Sequence, residues 1–372
     1  MMKIVLAFDS FKGSLSAQDA CSIAEKAIRS VHPEWAVVSK PMADGGEGTA
    51  RAMMSSLHGR WIPVATMGPL PRRRVKAGFA WFPSRHTALI EMAAASGLTL
   101  LRRNQLNPLE TTTYGTGILI AAAIRKGARH IWLAVGGSAT VDGGIGASMA
   151  LGWKFLDARG REIGLGGGEL KRIADIVPPR RMNIPPIDVL CDVDNPLTGR
   201  NGAARVFGPQ KGATPRMVED LDTGLRHLSR LVSEKLGKQI DIPGGGAAGG
   251  LAAGAMVFLN SRIVSGIEVI MTASQLDRAL RNTDWVITGE GSFDKQSLRG
   301  KVVSGVLRAA QKRNVKVAVI AGNVELTPMR YKRAGVIMAL ALRPRGMSLK
   351  AAMRNARSLL CHRVLDLTEA CS

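Results

Sequence analysis

Aromatic side chains make up only 4% of the 372 residues, and cysteine occurs four times, at Cys21, Cys191, Cys361 and Cys371. So few rings leave no stacking platform for single-stranded nucleic acid. The cysteines are scattered without a C-x-x-C pair, which excludes a metal knot or a disulfide framework. The six dispersed histidines offer no zinc spacing. A reducing, cytoplasmic setting fits that usage. Long apolar runs are missing as well. In the opening MMKIVLAFDS the apolar core Ile4–Phe8 is cut by Asp9, too short for a signal peptide. Nothing approaches the roughly 18 apolar residues of a membrane span, so no membrane partner is expected. Acids are scarce: 29 Asp and Glu face 51 Lys and Arg, a formal charge of +22. The bases are spread along the chain, and their densest run, PRRRVK at 71–76, is short. No specific nucleic-acid partner is therefore expected; a basic surface around a site for anionic metabolites accounts for the charge.

What is present alternates between strands and helices. KIVLAF is a continuous apolar run, as in a strand buried on both faces. In SLSAQDACSIAEKAIRSV, Ala20, Ile23, Ala24, Ala27, Ile28 and Val31 mark one helical face, and Ser16 with Asp19 resembles a capping box. AVVSKPM predicts a second strand and GTARAMMSSLHG a second helix. Near residue 62 the pattern changes: WIPVAT, RVKAGFAWF and TALIEMA predict an antiparallel meander. The middle mixes a helix (GILIAAAIRKG) with short strands (IWLAVGG, IDVLCDV). From 284 the first pattern returns in DWVITGEG, KVVSGVLRAAQKR, VKVAVIAG and VIMALAL, followed by one long helix from near Ser348. Single cores stop growing near roughly 250–300 residues, so two domains are expected. The pattern predicts a discontinuous, doubly wound α/β domain, 1–62 plus 285–372, with a second mixed α/β domain, 63–284, inserted in it.

Five loops join a strand end to glycine and a polar or acidic residue: DSFKGSLS (9–16), ADGGEGT (43–49), GGSATVDGG (136–144), CDVDNPLTG (191–199) and TGEGSFDKQ (288–296). Asp9, Asp44, Glu47, Asp142, Asp192, Asp194, Glu290 and Asp294 all lie there, a concentration that solubility does not explain. Carboxyl ends of strands in open α/β sheets converge on a ligand crevice. Such acids fit Mg²⁺ coordination or a base for a hydroxyl substrate, and glycine N–H groups fit phosphate oxygens. The plainer reading makes Asp9 and Asp44 helix caps. Lys12 and Lys211, each in a glycine-flanked loop, are the basic candidates. GGGAAGG at 244–250 contains G-x-G-x-x-G but lacks the acid expected downstream, and is read as a close-packing element. A Walker A motif and protein-kinase signatures are absent.

Taken in order, DSFKGSLSA, ADGGEGT, EMAAASGL, GGSAT-DGG, CDV-NPL, FGPQKGA and TGEG--D-QS--GK resemble the type 1 glycerate kinases over nearly the full chain. The resemblance implies a flavodoxin-like domain carrying an insert, acting as monomer or homodimer. It implies ATP-dependent phosphorylation of D-glycerate, with 2-phosphoglycerate favoured over 3-phosphoglycerate, in a crevice between the two domains. Asp44, Glu47, Glu290 and Asp294 become metal candidates. Asp9, Ser10, Gly45, Gly46, Ser138, Thr140, Asn195, Gly289 and Gly291 become substrate or nucleotide candidates. Asp192, Lys12 and Lys211 become catalytic candidates, Asp192 being favoured as base because it ends a buried-looking strand beside Asn195. Phe8, Ile118, Val141 and Ser292 depart from the family's usual residues; at Ser292 an arginine is lost, for which Arg299 or Lys295 would have to substitute. A nucleotide-dependent oxidoreductase and a sugar-acid-binding regulator are the alternatives; the first lacks a clean fingerprint and the second a DNA-reading module.

Overall fold

Uninterrupted apolar runs become strands wherever a neighbouring run can take up their backbone groups, and the longer gaps between them carry helices. The computed structural model describes all residues except Glu47, Met182, Arg299 and Ser372. In chain order the strands of the main sheets are β1 (Lys3–Phe8), β2 (Ala36–Ser39), β3 (Arg60–Met67), β4 (Arg74–Phe82), β5 (Thr87–Glu91) and β6 (His130–Ala134). They continue with β7 (Ile187–Leu190), β8 (Ser261–Val264), β9 (Trp285–Gly289), β10 (Lys316–Ala321) and β11 (Met338–Ala341). The chain divides into two compact units. The first comprises Met1–Asp44, Arg51–His58 and Ser265–Ser372; the second comprises Gly45–Ala50 and Gly59–Val264.

In the first unit β1, β2, β9, β10 and β11 form a parallel sheet in the order β11-β10-β9-β1-β2. Counting this unit's strands alone, the order is 2-1-3-4-5, and the direction of winding reverses between β1 and β9. Ile4, Leu6 and Phe8 pack with the helices Ala17–Val31 and Ala356–Cys371 on one face. Val5, Ala7 and Val286, of opposite parity, are equally buried, and the helix Val302–Gln311 packs against β9 and β10. The sheet is thus covered on both faces, which is why its strands read as unbroken apolar runs. Ser16 caps the first helix, its Oγ accepting from the Asp19 N–H at 3.1 Å.

The second unit's sheet runs β8-β7-β6-β5-β4-β3. β5 to β8 are parallel, while β3, β4 and β5 form the antiparallel meander read from the sequence. Its core gathers Phe79, Ile90, Leu119, Leu133 and Val189 with Leu221, Leu225 and Leu228 of the helix Pro215–Leu236.

The structure differs from the sequence reading in several places: the first boundary falls between His58 and Gly59, not between 62 and 63, and Gly45–Ala50 groups with the second unit. The second boundary falls between Val264 and Ser265, not between 284 and 285. The reason is the helix Gly266–Ala273, which packs on Val302–Gln311: a Cβ on Gly305 would lie 2.6 Å from Ile267 and 2.9 Å from Met271. The long C-terminal helix is two helices, Leu349–Arg354 and Ala356–Cys371, broken at Asn355, where ψ rises to 12°. Ser348 still starts the first of them, accepting from the Ala351 N–H at 3.2 Å.

Candidate active site

The first unit places β1 and β9 side by side at the point where the winding reverses, and each ends in a carboxylate. Phe8 pairs with Gly289, and the Asp9 N–H donates to the Gly289 carbonyl at 2.9 Å. Only glycine fits at 289, because a Cβ there would lie 1.7 Å from the Ile320 carbonyl oxygen. Asp9 is buried, at 7% exposure, and is fixed by the Ser10 N–H, which donates to Oδ1 at 2.6 Å. Burial first, then the charge of Asp44, lift the Asp9 carboxyl to about 8; Glu290 adds to the rise, and the Ser10 N–H and Lys12 oppose it. The Glu290 carboxyl is also raised, mainly by burial, with Asp44 and Asp294 adding to it and Ser297 and Lys301 opposing. Glu290 Oε1 is buried without a hydrogen-bond partner. Burial and the nearby charge of Asp44 thus oppose ionisation of both Asp9 and Glu290, and a cation beside them would favour it.

Among the described residues no three Asp, Glu, His or Cys side chains close into a metal cage. Asp294 stands apart from the trio in its bonding: its Oδ1 accepts from the Gln296 and Ser297 N–H groups at 2.6 and 3.2 Å, closing its own turn. Glu47 and Arg299 lie outside the described residues. Lys12 is exposed near Asp9, and Gly291 leaves the Lys12 amide 3.9 Å from where a Cβ would be. Neither aspartate caps a helix: Ser16 caps the first, and the helix after Asp44 begins only at Thr49.

The second unit brings together the loops after β5, β6 and β7. Gly136 in GGSATVDGG touches ADGGEGT: its N–H faces the Gly45 carbonyl at 3.4 Å, and a Cβ on it would lie 2.5 Å from Gly46 Cα. Gly45, at φ +85°, lies against Leu190 at the end of β7. EMAAASGL holds the same loop from its other side, through Leu98 N–H to Gly137 O and Ala139 N–H to Ser96 O, both at 2.9 Å.

Lys211 is 1% exposed, and its Nζ donates to Ser138 Oγ at 2.7 Å and to the Thr140 carbonyl at 2.8 Å. Burial pushes its ammonium down to about 7, against the pull of Asp142. Lys211 is thus an internal clamp, where the sequence showed only a lysine in a loop. Thr140 Oγ1 is buried without a partner. Asp142 is wholly buried; its carboxylate accepts from Thr113 N–H at 2.7 Å, Thr113 Oγ1 at 2.8 Å and Gly144 N–H at 3.1 Å. Thr111 Oγ1 donates to the Ala139 carbonyl at 2.7 Å. Sequence reasoning passed over Thr111–Thr113; three successive β-branched hydroxyl residues opening an apolar helix were the available signal.

Asp192 follows β7 and is half-buried, while Asp194 is exposed. Asn195 spends its side chain on its own loop, Nδ2 donating to the Asn201 carbonyl at 2.9 Å. The GGGAAGG run packs against backbone: a Cβ on Gly249 would lie 1.9 Å from the Thr140 carbonyl oxygen, and one on Gly246 2.2 Å from that of Pro196. Val141 is fully buried in the apolar core, where an amide would need partners. Ser292 Oγ donates to Glu325 Oε1 at 3.4 Å. Nothing in the structure explains Ile118.

Known proteins resemble this chain over most of its length. The profile of the Glycerate kinase family matches residues 4–372. Glycerate 2-kinase of Escherichia coli K12 is 46% identical over 328 residues, covering 87% of this chain and 86% of that protein. A glycerate kinase of Halalkalibacterium halodurans is 44% identical over 365 residues, covering 97% of this chain and 96% of its own. The crystal structure of a Salmonella typhimurium LT2 protein assigned as glycerate kinase 2 matches with a TM-score of 0.83 at 41% identity, covering 99% of each chain. These matches define the class, a phosphotransferase enzyme built on parallel α/β sheets. The chain belongs to the glycerate kinase family.

Proposed function

We propose that the enzyme transfers the γ-phosphoryl group of ATP to D-glycerate, preferentially at the 2-hydroxyl, with Mg²⁺ as the accompanying cation. The observation that carries this reading is the carboxylate group of Asp9 after β1, Glu290 after β9 and Asp44 in the loop after β2, with an unpartnered Glu290 Oε1. Asp44 and Glu290 would hold the metal, which when bound neutralises phosphate charge and aligns the phosphates. Lys12 offsets further negative charge, and the loops carrying Gly45, Gly46, Ser138 and Thr140 supply donors to anionic groups. Asp192 is the base that takes the acceptor hydroxyl's proton. The 2-hydroxyl preference draws on the Escherichia coli relative, which is named glycerate 2-kinase. A flavodoxin-like reading of the first unit draws on its 2-1-3-4-5 parallel order. A cytoplasmic enzyme, monomeric or homodimeric, completes the reading. The oxidoreductase alternative loses ground because its glycine motif is filled by neighbouring backbone.

The test is ADP release with ATP and Mg²⁺ over a panel of acceptors, with phosphorus NMR of the product. D-glycerate should be turned over much faster than L-glycerate, lactate or glycerol, and 2-phosphoglycerate should be the product. Equal turnover of glycerol would overturn the substrate assignment, and 3-phosphoglycerate would overturn the regiochemistry.

A further inference from the structure

We propose that Lys211 is a positioning residue: it fixes the Ser138 hydroxyl as a hydrogen-bond donor to an anionic oxygen of the ligand, a carboxylate or a phosphate. The identity of that ligand rests on the reading above; the device itself does not. A serine hydroxyl has one proton and accepts through its lone pairs. Ser138 Oγ already accepts from the Lys211 ammonium at 2.7 Å, so its proton must be given elsewhere. Among the described residues no acceptor takes it.

The surroundings hold this arrangement in place. The backbone on either side of Ser138 is pinned, Gly137 O by Leu98 N–H and Ala139 N–H by Ser96 O. The Thr140 carbonyl takes a second proton of the same ammonium, so the lysine spans the loop and cannot swing out. Two residues beyond Ser138, the buried Thr140 Oγ1 lacks a partner, a second polar group in want of one. Lys211 itself is 1% exposed and cannot meet a ligand directly. Its charge reaches the ligand through the hydroxyl, which it polarises. The charged group acting on it is Asp142, which favours the ammonium form that burial opposes. An arriving anion adds a second such pull.

Ser138→Ala, Lys211→Met and the double variant test this through the KM for D-glycerate and for ATP, measured separately. Calorimetric binding of D-glycerate, of metal-free ATP and of inorganic phosphate needs no turnover, and so reads the device even if glycerate is not the substrate. Each single variant should weaken one anionic ligand by roughly 10–100-fold, the range of a hydrogen bond to a charged group, with kcat changed only a few-fold. The double variant should lose no more than the worse single one, because both act on one contact. Loss of D-glycerate identifies the carboxylate as occupant; loss of ATP and phosphate identifies the phosphate. In the native enzyme that affinity should fall as pH rises above about 7, and in Lys211→Met the fall should vanish. Additive losses, equal losses for every ligand, or a kcat defect at unchanged affinity would overturn the proposal. If Lys211→Met does not fold, Ser138→Ala decides: it keeps the lysine's bond to Thr140, and unchanged anion affinity in it sinks the idea.

Discussion

Asp192 and Asp157 are both acids in glycine-bearing loops, and they separate two kinds of carboxylate. Asp157 closes a surface turn, its Oδ1 accepting from the Arg159 and Arg161 N–H groups at 2.9 and 3.0 Å. Asp192 ends a buried parallel strand, and its charge adds to the burial that lifts the Cys191 thiol to about 11. If Asp192 is the base, Asp192→Asn should lower kcat by about 10²–10⁴-fold, whereas Asp157→Asn should leave it unchanged. Equal kcat in the two variants would reduce Asp192 to a loop residue. Lys211 gives a pH signature. Its ammonium, ordinarily near 10.5, is held down to about 7, so the folded state binds fewer protons than the unfolded state between those values. Stability relative to Lys211→Met should therefore rise with pH across that window, the full cost of the buried charge being present only below it. Urea titrations at several pH values measure the slope, and a falling one would contradict the assignment. At this scale the sequence showed which residues stand at strand ends. It could not show that Lys211 is internal while Lys12 is exposed, because both sit in similar loops and only the packing distinguishes them.

Turns that require glycine separate into those that need conformation and those that need room. Gly249 and Gly237 both lie in the left-handed region, at φ +66° and +63°. A Cβ on Gly237 meets nothing within 4 Å, but one on Gly249 would lie 1.9 Å from the Thr140 carbonyl that holds Lys211. Gly237→Ala should cost only the backbone strain of a left-handed alanine, about 1–2 kcal/mol. Gly249→Ala adds overpacking, roughly 1–3 kcal/mol more, and should also weaken anion binding. Thermal melts and ligand titrations compare the two; equal losses would show that the contact relaxes freely. Strands were the most legible elements, since a sheet covered on both faces leaves unbroken apolar runs such as KIVLAF. The helix Pro215–Leu236 was not read, although Thr214 and Pro215 are good opening signals, with Thr214 Oγ1 accepting from Met217 N–H at 3.3 Å. β8 was missed because SRIV is short and carries an exposed arginine on an edge strand.

Taken over the whole molecule, the charge of +22 is spread so widely that it sets an atmosphere without drawing a binding stripe. DNA should bind weakly, without sequence preference, and be released by physiological salt; mobility shifts across a salt series measure this, and a salt-resistant selective complex would contradict it. The division into two units was legible as a change of strand style, but its second boundary was not. Gly266–Ala273 is a helix in either setting, and only its seat against Gly305 assigns it to the first unit. The sheet order has one more consequence. Val5 pairs with Val38 on one side and with Val286 on the other. As the chain leaves the ribosome, β1 finds β2 at once, yet its second edge stays open until almost three hundred residues have been made. The intervening stretch 59–264 is contiguous and can settle first. Through that wait one of the most apolar strands of the protein offers an unsatisfied edge to any passing strand. Synthesis, more than finished stability, is then when the molecule is most exposed to aggregation.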